Sequence, residues 1–351
     1  MRVSDGPGNG SRQGTSTPAA PPPAQVMLRE LKPGAKIDWP LRVVERTVKT
    51  IKKGPRQGKE FTALRLGDRT AALPGNDWGS PSSKMGIGTV LRVKGTYVDD
   101  PKWGPQINID ELRLADPDEY DLADLVELPA RSAEELETEL RELTAAIRDP
   151  FLRQVVEALI GPEGSMWPGF REAPAAKFIH EAHRHGLLEH SLRVARNARR
   201  IAMDENPSVV DLAIAGGLLH DIGKIEAYSL SEEGGDMIDL TAAEQLFGHI
   251  PLGYYRVRQA VERLVEGGAE LPMAAQRLLH IVVSHHGSQE KGSPVPPATI
   301  EAAIVHAADS VAATMGSFTR VEKGLSPGQE WSSRDIGIGG RAYFPAEGEG
   351  S

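Results

Sequence analysis

The chain has 351 residues, 40% apolar and 25% charged, which fits two or three globular domains. It contains no cysteine, which excludes disulfides, iron–sulfur clusters, thiolate zinc sites and thiol catalysis, so any metal must be held by nitrogen and oxygen ligands. The net charge of −9 is uneven: residues 36–115 hold 15 Lys and Arg against 9 Asp and Glu, a surplus of +6, which leaves −15 on the rest, and a basic module on an acidic body suits an anionic partner.

Residues 1–25 are rich in Gly, Ser and Pro and are expected to be a disordered tail, because they carry too little apolar surface to offset ordering. They hold no apolar leader, and no stretch is long enough to span a membrane, so a cytoplasmic protein with no membrane partner is expected. Between residues 26 and 117 the pattern is one of short strands: "LRVVERTVKTI", "KEFTALRLGD", "RTAALPG", "GTVLRVKGTYVDD" and "PQINIDELRL", divided by Gly, Pro and Asp. Five such strands predict a small OB-like β-barrel, a shape that tracks single strands of nucleic acid with positive charge and stacks bases on aromatic rings. Arg42, Lys49, Lys52, Lys53, Arg56 and Lys59 supply the charge, and Phe61, Trp78, Tyr97 and Trp103 are the candidate stacking rings. Of these, Lys49, Lys52, Lys53, Arg56, Lys59, Trp78 and Trp103 are selected as nucleic-acid contacts.

From residue 118 the periodicity turns helical. Residues 118–175 read as an acidic connector and helical linker, with a capping box at Ser132 and Glu135. Residues 176–316 form an all-α domain, and residues 317–351 form a Gly- and Ser-rich, partly disordered extension. All ten histidines lie between His180 and His306. His190 sits on the apolar side of "GLLEHSLRVARNARRIA", in register with Leu187, Ser191, Val194, Ala198 and Ile201. His220 and Asp221 close the next apolar helix, in "GGLLHDIGKIEAY". Thr241 and Glu244 predict a second capping box, and His249 follows just before Pro251, where a helix must start or kink. His285 and His286 end a third apolar helix. Asp309 borders the row Ile300, Ile304, Ala308 and Val311 of the last one. A carboxylate among Ala and Val is costly unless paired or bound to a metal. Imidazole and carboxylate together suit Mn, Fe, Zn or similar divalent ions, and their number exceeds what one ion requires. An aspartate shared by two ions would use the surplus, as in two-metal phosphoryl-transfer sites.

The order His, His-Asp, His, His-His, Asp resembles the HD superfamily of metal-dependent phosphohydrolases. More narrowly, "GLLEHSLRVA", "GGLLHDIGKIEAY", "GHIPLG", the block "HIVVSHHGSQEKGSPVPPATIEAAIVHAADSVAA" and the barrel resemble the YhaM-type 3′→5′ exoribonucleases, from about residue 36 to "RDIGIGGRAYF". The resemblance implies a first metal site at His190, His220, Asp221 and Asp309, with Asp221 bridging. His249 and His285 match positions that hold a second ion, His286 is a ligand or a phosphate contact, and Lys224 matches the lysine of HDxGK, poised to neutralise the attacked phosphate. Two ions per chain are expected, Mn²⁺ first and Fe, Co, Zn or Mg as alternatives. His306 is a candidate neighbour of the ligands, His180, His183 and His185 lie near substrate at most singly, and His280 is expected to pack.

The implied function is hydrolysis of single-stranded RNA, with DNA as an alternative substrate, to 5′-mononucleotides from the 3′ end; a homo-oligomer is compatible with the resemblance. Two readings compete. A phosphohydrolase for small nucleotides or cyclic dinucleotides would have no use for a basic barrel. A non-catalytic nucleic-acid-binding regulator would not need a full ligand set.

Overall fold

The computed structural model describes residues 26–79, 86–101, 104–121, 124–125, 131–176, 183–231, 237–265, 270–323, 325, 329–332, 334–335 and 337–345. Residues 1–25, Trp103 and His180 therefore lie outside the described residues, as does the end of the tail.

Five strands close the N-terminal barrel: β1 (Lys36–Thr50), β2 (Glu60–Gly67), β3 (Ala72–Asp77), β4 (Val90–Asp100) and β5 (Gly104–Leu114). Their order around the barrel is β1-β2-β3-β5-β4, with β4 returning to β1. Every pairing is antiparallel except that of β3 with β5. Period-two alternation sends Ile37, Leu41, Val43, Leu64, Leu66, Leu91, Val93 and Ile107 into one core. Tyr97 is 5% exposed and belongs to that core, so it is a packing residue and not the stacking ring its composition suggested.

The helical region comprises α1 (Ala133–Ala146), α2 (Pro150–Ile160), α3 (Trp167–Glu172), α4 (Gly186–Glu205), α5 (Val210–Leu219) and α6 (Lys224–Ala227). A short hairpin of β6 (Tyr228–Ser231) and β7 (Met237–Leu240) follows, then α7 (Ala242–Phe247), α8 (His249–Leu264), α9 (Met273–Ser284) and α10 (Ile300–Lys323). The Ser132–Glu135 capping box forms in both directions. Helices α1 and α2 bury Leu136, Leu140, Val155 and Val156 in the same apolar cluster as α4, α5, α9 and α10. On α10 the buried row is Ala302, Val305, Ala308 and Ala312, whereas Ile300 and Val311 are 54% and 51% exposed. The helix is turned by its neighbours α4, α5 and α9, and Glu301 is carried inward because Arg277 meets it through two hydrogen bonds of 2.8 and 2.7 Å. Beyond α10, Asp335 receives a double hydrogen bond from Arg320, which ties residues of the expected tail onto that helix.

Glycines set how closely the ligand-bearing helices approach. A Cβ on Gly217 would lie 2.5 Å from the Ala195 Cα of α4, and one on Gly216 would lie 2.6 Å from Ile281 of α9. A Cβ on Gly223 would lie 2.0 Å from the carbonyl oxygen of His249, so the turn after Asp221 rests directly on the first turn of α8. Gly223→Ala must push α8 away from that turn. The expected cost is about 1–3 kcal/mol, near the upper end because the obstacle is backbone, and thermal unfolding of the variant measures it.

Candidate metal centre

Three helix ends and two helix interiors deliver the predicted ligands to one place. His220 stands at the C-terminal end of α5 and His285 at that of α9. Each folds its Nδ1 back onto the carbonyl three residues earlier, Gly217 at 2.9 Å and Val282 at 2.8 Å. His286 turns its Nδ1 to the carbonyl of Lys291 at 2.7 Å. With each Nδ1–H donating to a carbonyl, each Nε2 keeps its lone pair for the centre. His190 comes inward from α4, His249 opens α8, and Asp309 projects from α10.

Asp221 lies between these groups and is 2% exposed. Its Oδ2 is 3.4 Å from His190 Nε2 and 3.3 Å from His220 Nε2. Asp309 Oδ1 completes that side, 3.2 Å from His190 Nε2 and 3.8 Å from His220 Nε2. Asp221 Oδ1 faces the opposite group, 3.4 Å from both His249 Nε2 and His285 Nε2. His286 joins the second group, its ring 5.2 Å from that of His249 and 4.4 Å from that of His285.

The residues fit divalent ions on three counts. Asp221 Oδ1, His249 Nε2 and His285 Nε2 are buried without a hydrogen-bond partner, although they converge on each other, and buried polar atoms are seldom left so. Ligands about 2.0–2.1 Å from a common ion stand about 3.0–3.4 Å apart, close to the separations on either side of Asp221. The donors, imidazole nitrogen and carboxylate oxygen, are those divalent transition ions take. Electrostatics agree. Burial pushes the Asp221 carboxyl up, but the Lys224 ammonium and His220 pull it well below the usual carboxylate range. Asp309 is likewise raised by burial and drawn below its ordinary value by its hydrogen bond with His190. Burial pushes the His285 imidazole down to about 4, and His286 also falls below its ordinary value, so both are neutral and able to ligate at neutral pH.

Residues 187–314 match the HD domain family. The helical half of the chain carries an HD domain. Along a longer span, the chain is 29% identical over 300 residues to the 3′-5′ exoribonuclease YhaM of Listeria innocua, covering 84% of this chain and 91% of that one. Against the enzyme of the same name from Geobacillus it is 29% identical over 303 residues, 85% and 89% of the two chains. Against that of Shouchella clausii it is 28% identical over 291 residues, 82% and 87%. A match over 84% of the chain necessarily takes in at least part of both the barrel and the HD domain.

The remaining candidates fall elsewhere. Lys224 Nζ is 2.6 Å from Asp221 Oδ2, so its ammonium is engaged by the central carboxylate, whose demand for a cation it marks. His306 Nδ1 meets the carbonyl of His285 at 2.7 Å, and its ring lies where a Cβ on Gly287 would be, which fixes the turn that carries His285 and His286. His183 and His185 bind the carbonyls of Arg184 and Arg171 beside α4, and His280 accepts from the Ala298 amide. Two neighbours of the cluster escaped sequence reading: Glu244, with Oε1 3.5 Å from His249 Nδ1, and Tyr228, whose hydroxyl is within electrostatic reach of Lys224. A mixed-charge groove lies between α1 and α4, but Arg131, Arg196 and Glu139 ion pairs occupy it and no cluster residue lines it.

On the barrel, Trp78 is 52% exposed and stacks on Phe61, with centroids 4.6 Å apart and planes 25° from parallel. Lys49 is the cross-strand partner of Phe61, and Lys49, Lys52, Lys53, Arg56 and Lys59 are all exposed around the β1–β2 connection. Arg42 differs: it is half-buried on β1, and desolvation holds its guanidinium below its ordinary value.

Because ions that bind only the folded chain stabilise it by mass action, Mn²⁺ at about 100 times its Kd should add about 2.7 kcal/mol for each ion bound. The expected result is a rise in Tm that EDTA reverses and that Asp221→Asn abolishes, read by calorimetry.

Proposed function

We propose that this protein is a metal-dependent exoribonuclease that removes 5′-mononucleotides from the 3′ end of single-stranded RNA, using two divalent ions, Mn²⁺ foremost. The observation that carries the reading is the division of labour at Asp221. One oxygen faces His190 and His220, and the other faces His249 and His285, in a chain whose similarity to 3′-5′ exoribonucleases extends into both domains.

Ions held on the two sides would activate water and stabilise the charge that develops on the scissile phosphate and the departing oxygen. The chain's own groups supply the rest. Asp221 and Asp309 provide the anionic charge, and Lys224 adds an ammonium that can answer the phosphate once other cations satisfy Asp221. Burial of His190, His220 and His285 to 2% exposure or less limits water to the open side of the cluster. No Ser or Thr nucleophile is needed, because water serves. The Trp78–Phe61 platform and the surrounding lysines support single-strand binding, since stacking and phosphate contacts are available to every nucleotide. A cytoplasmic place of action is part of this proposal.

Incubation with Mn²⁺ and 5′-labelled RNA should yield a ladder that shortens one nucleotide at a time. Asp221→Asn should lose this cleavage by several orders of magnitude while binding RNA as before. An intact oligomer alongside hydrolysed cyclic dinucleotide would replace this reading with the small-substrate one, and binding without turnover would favour a regulator.

Trp78→Ala should weaken RNA binding by about 1–3 kcal/mol, seen as a raised KM for long oligomers with kcat nearly unchanged. Equal affinity for wild type and variant would remove the platform from the binding path.

A further inference from the structure

Thr241 and Glu244 have the spacing of a capping box, yet only half of it forms. The Thr241 hydroxyl accepts from the Glu244 amide at 3.1 Å, while the Thr241 amide is taken by the carbonyl of Ala227 at 3.0 Å. The Glu244 side chain is thereby released from its local role. It turns to His249 instead, with Oε1 3.5 Å from Nδ1, and its Oε2 is buried without a hydrogen-bond partner. The other side of the same ring faces Asp221, Nε2 lying 3.4 Å from Oδ1. His220, His285 and His286 present their Nδ1 to backbone carbonyls; His249 presents its Nδ1 to a carboxylate.

We propose that Glu244 is the positioning residue for His249, holding the ring in the tautomer that aims Nε2 at Asp221 Oδ1 and strengthening it as a donor for the ion on that side alone. A carboxylate behind a ligating imidazole fixes the proton on the outer nitrogen and raises the basicity of the inner one. Glu244 meets the cluster at His249, whose Nε2 faces Asp221 Oδ1, so its influence falls on that half of the centre. The proposal rests on the reading that the cluster holds divalent ions on both sides of Asp221.

The test is calorimetric titration of the metal-stripped full chain with Mn²⁺, for wild type, Glu244→Ala and Glu244→Gln, with the Tm of each stripped protein alongside. Wild type should take up two ions. In Glu244→Ala one ion should keep its affinity and the other should bind about 10–100-fold more weakly. Glu244→Gln, which keeps the shape and an acceptor oxygen, should recover part of the loss. The stripped Tm should stay near wild type, because the carboxylate leaves one buried oxygen unpartnered. The proposal is overturned if both ions bind Glu244→Ala as tightly as wild type, or if both weaken together with a lowered stripped Tm. A wild type that takes up no ions refutes the cluster reading beneath it. A wild type that binds both ions and degrades no RNA refutes the proposed reaction, while the split affinities still support the role of Glu244.

Discussion

The carboxylate of Asp221 is 2% exposed, and a charge so buried costs several kcal/mol unless its surroundings answer it. Much of the helical domain's design follows from that demand. Lys224 lies one helical turn away and places an ammonium 2.6 Å from Oδ2. Four imidazoles come within 3.4 Å of the two oxygens from α4, α8 and the ends of α5 and α9. Their convergence requires helices closer than side chains ordinarily allow. Gly216, Gly217 and Gly223 permit it, each at a point where a Cβ would collide with a neighbouring element. The apolar run before His220 has a matching purpose: it buries α5 so that the ligand pair at its end is held rigidly.

The same local device aims two of the ligands. An α-helix leaves its last carbonyls without intrahelical donors. His220 and His285, each just past the last turn, supply one donor to such a carbonyl and so direct the opposite nitrogen into the centre. This explains why His-Asp and His-His fall at the ends of apolar helices rather than within them. The helix terminus orients the ring, and the ring completes the terminus. His249 begins a helix instead, where the free groups are amides, which cannot accept from Nδ1–H. Its outer nitrogen therefore needs another partner, and Glu244 is the group that faces it.

The sequence made the centre legible because ligand type and chain order survive without coordinates. Ten histidines confined to one part of the chain, with two acidic residues in apolar surroundings, already indicated a metal cluster. Strand number and the barrel were readable from alternation. Choices between equivalent faces were not. Helix α10 is apolar on more than one side, so periodicity could not show that Val305 and Ala312 turn inward while Ile300 and Val311 turn outward; only the positions of α4, α5 and α9 decide that. Tyr97 failed for the same reason, since a ring on a barrel strand is equally suited to the core or the surface. The spacing of Thr241 and Glu244 foretold the hydroxyl-to-amide half of the cap, which forms, but not that the carboxylate turns to His249.

Charge links the two domains on the exoribonuclease reading. The segment 36–115 carries +6 and the remainder −15, so a polyanionic strand is drawn to the barrel and opposed by the body that holds the chemistry. At physiological salt this opposition is screened beyond about 8 Å, so what matters is charge within a few residues of the centre. There, Asp221 and Asp309 are both ionised, and among the described residues it is Lys224 that supplies fixed positive charge close to them. Divalent cations would reverse the sign of that pocket as well as promote hydrolysis. Admission of the phosphate and its cleavage would then depend on the same ions, so a strand anchored on the Trp78 platform would enter the centre only when the centre can act on it.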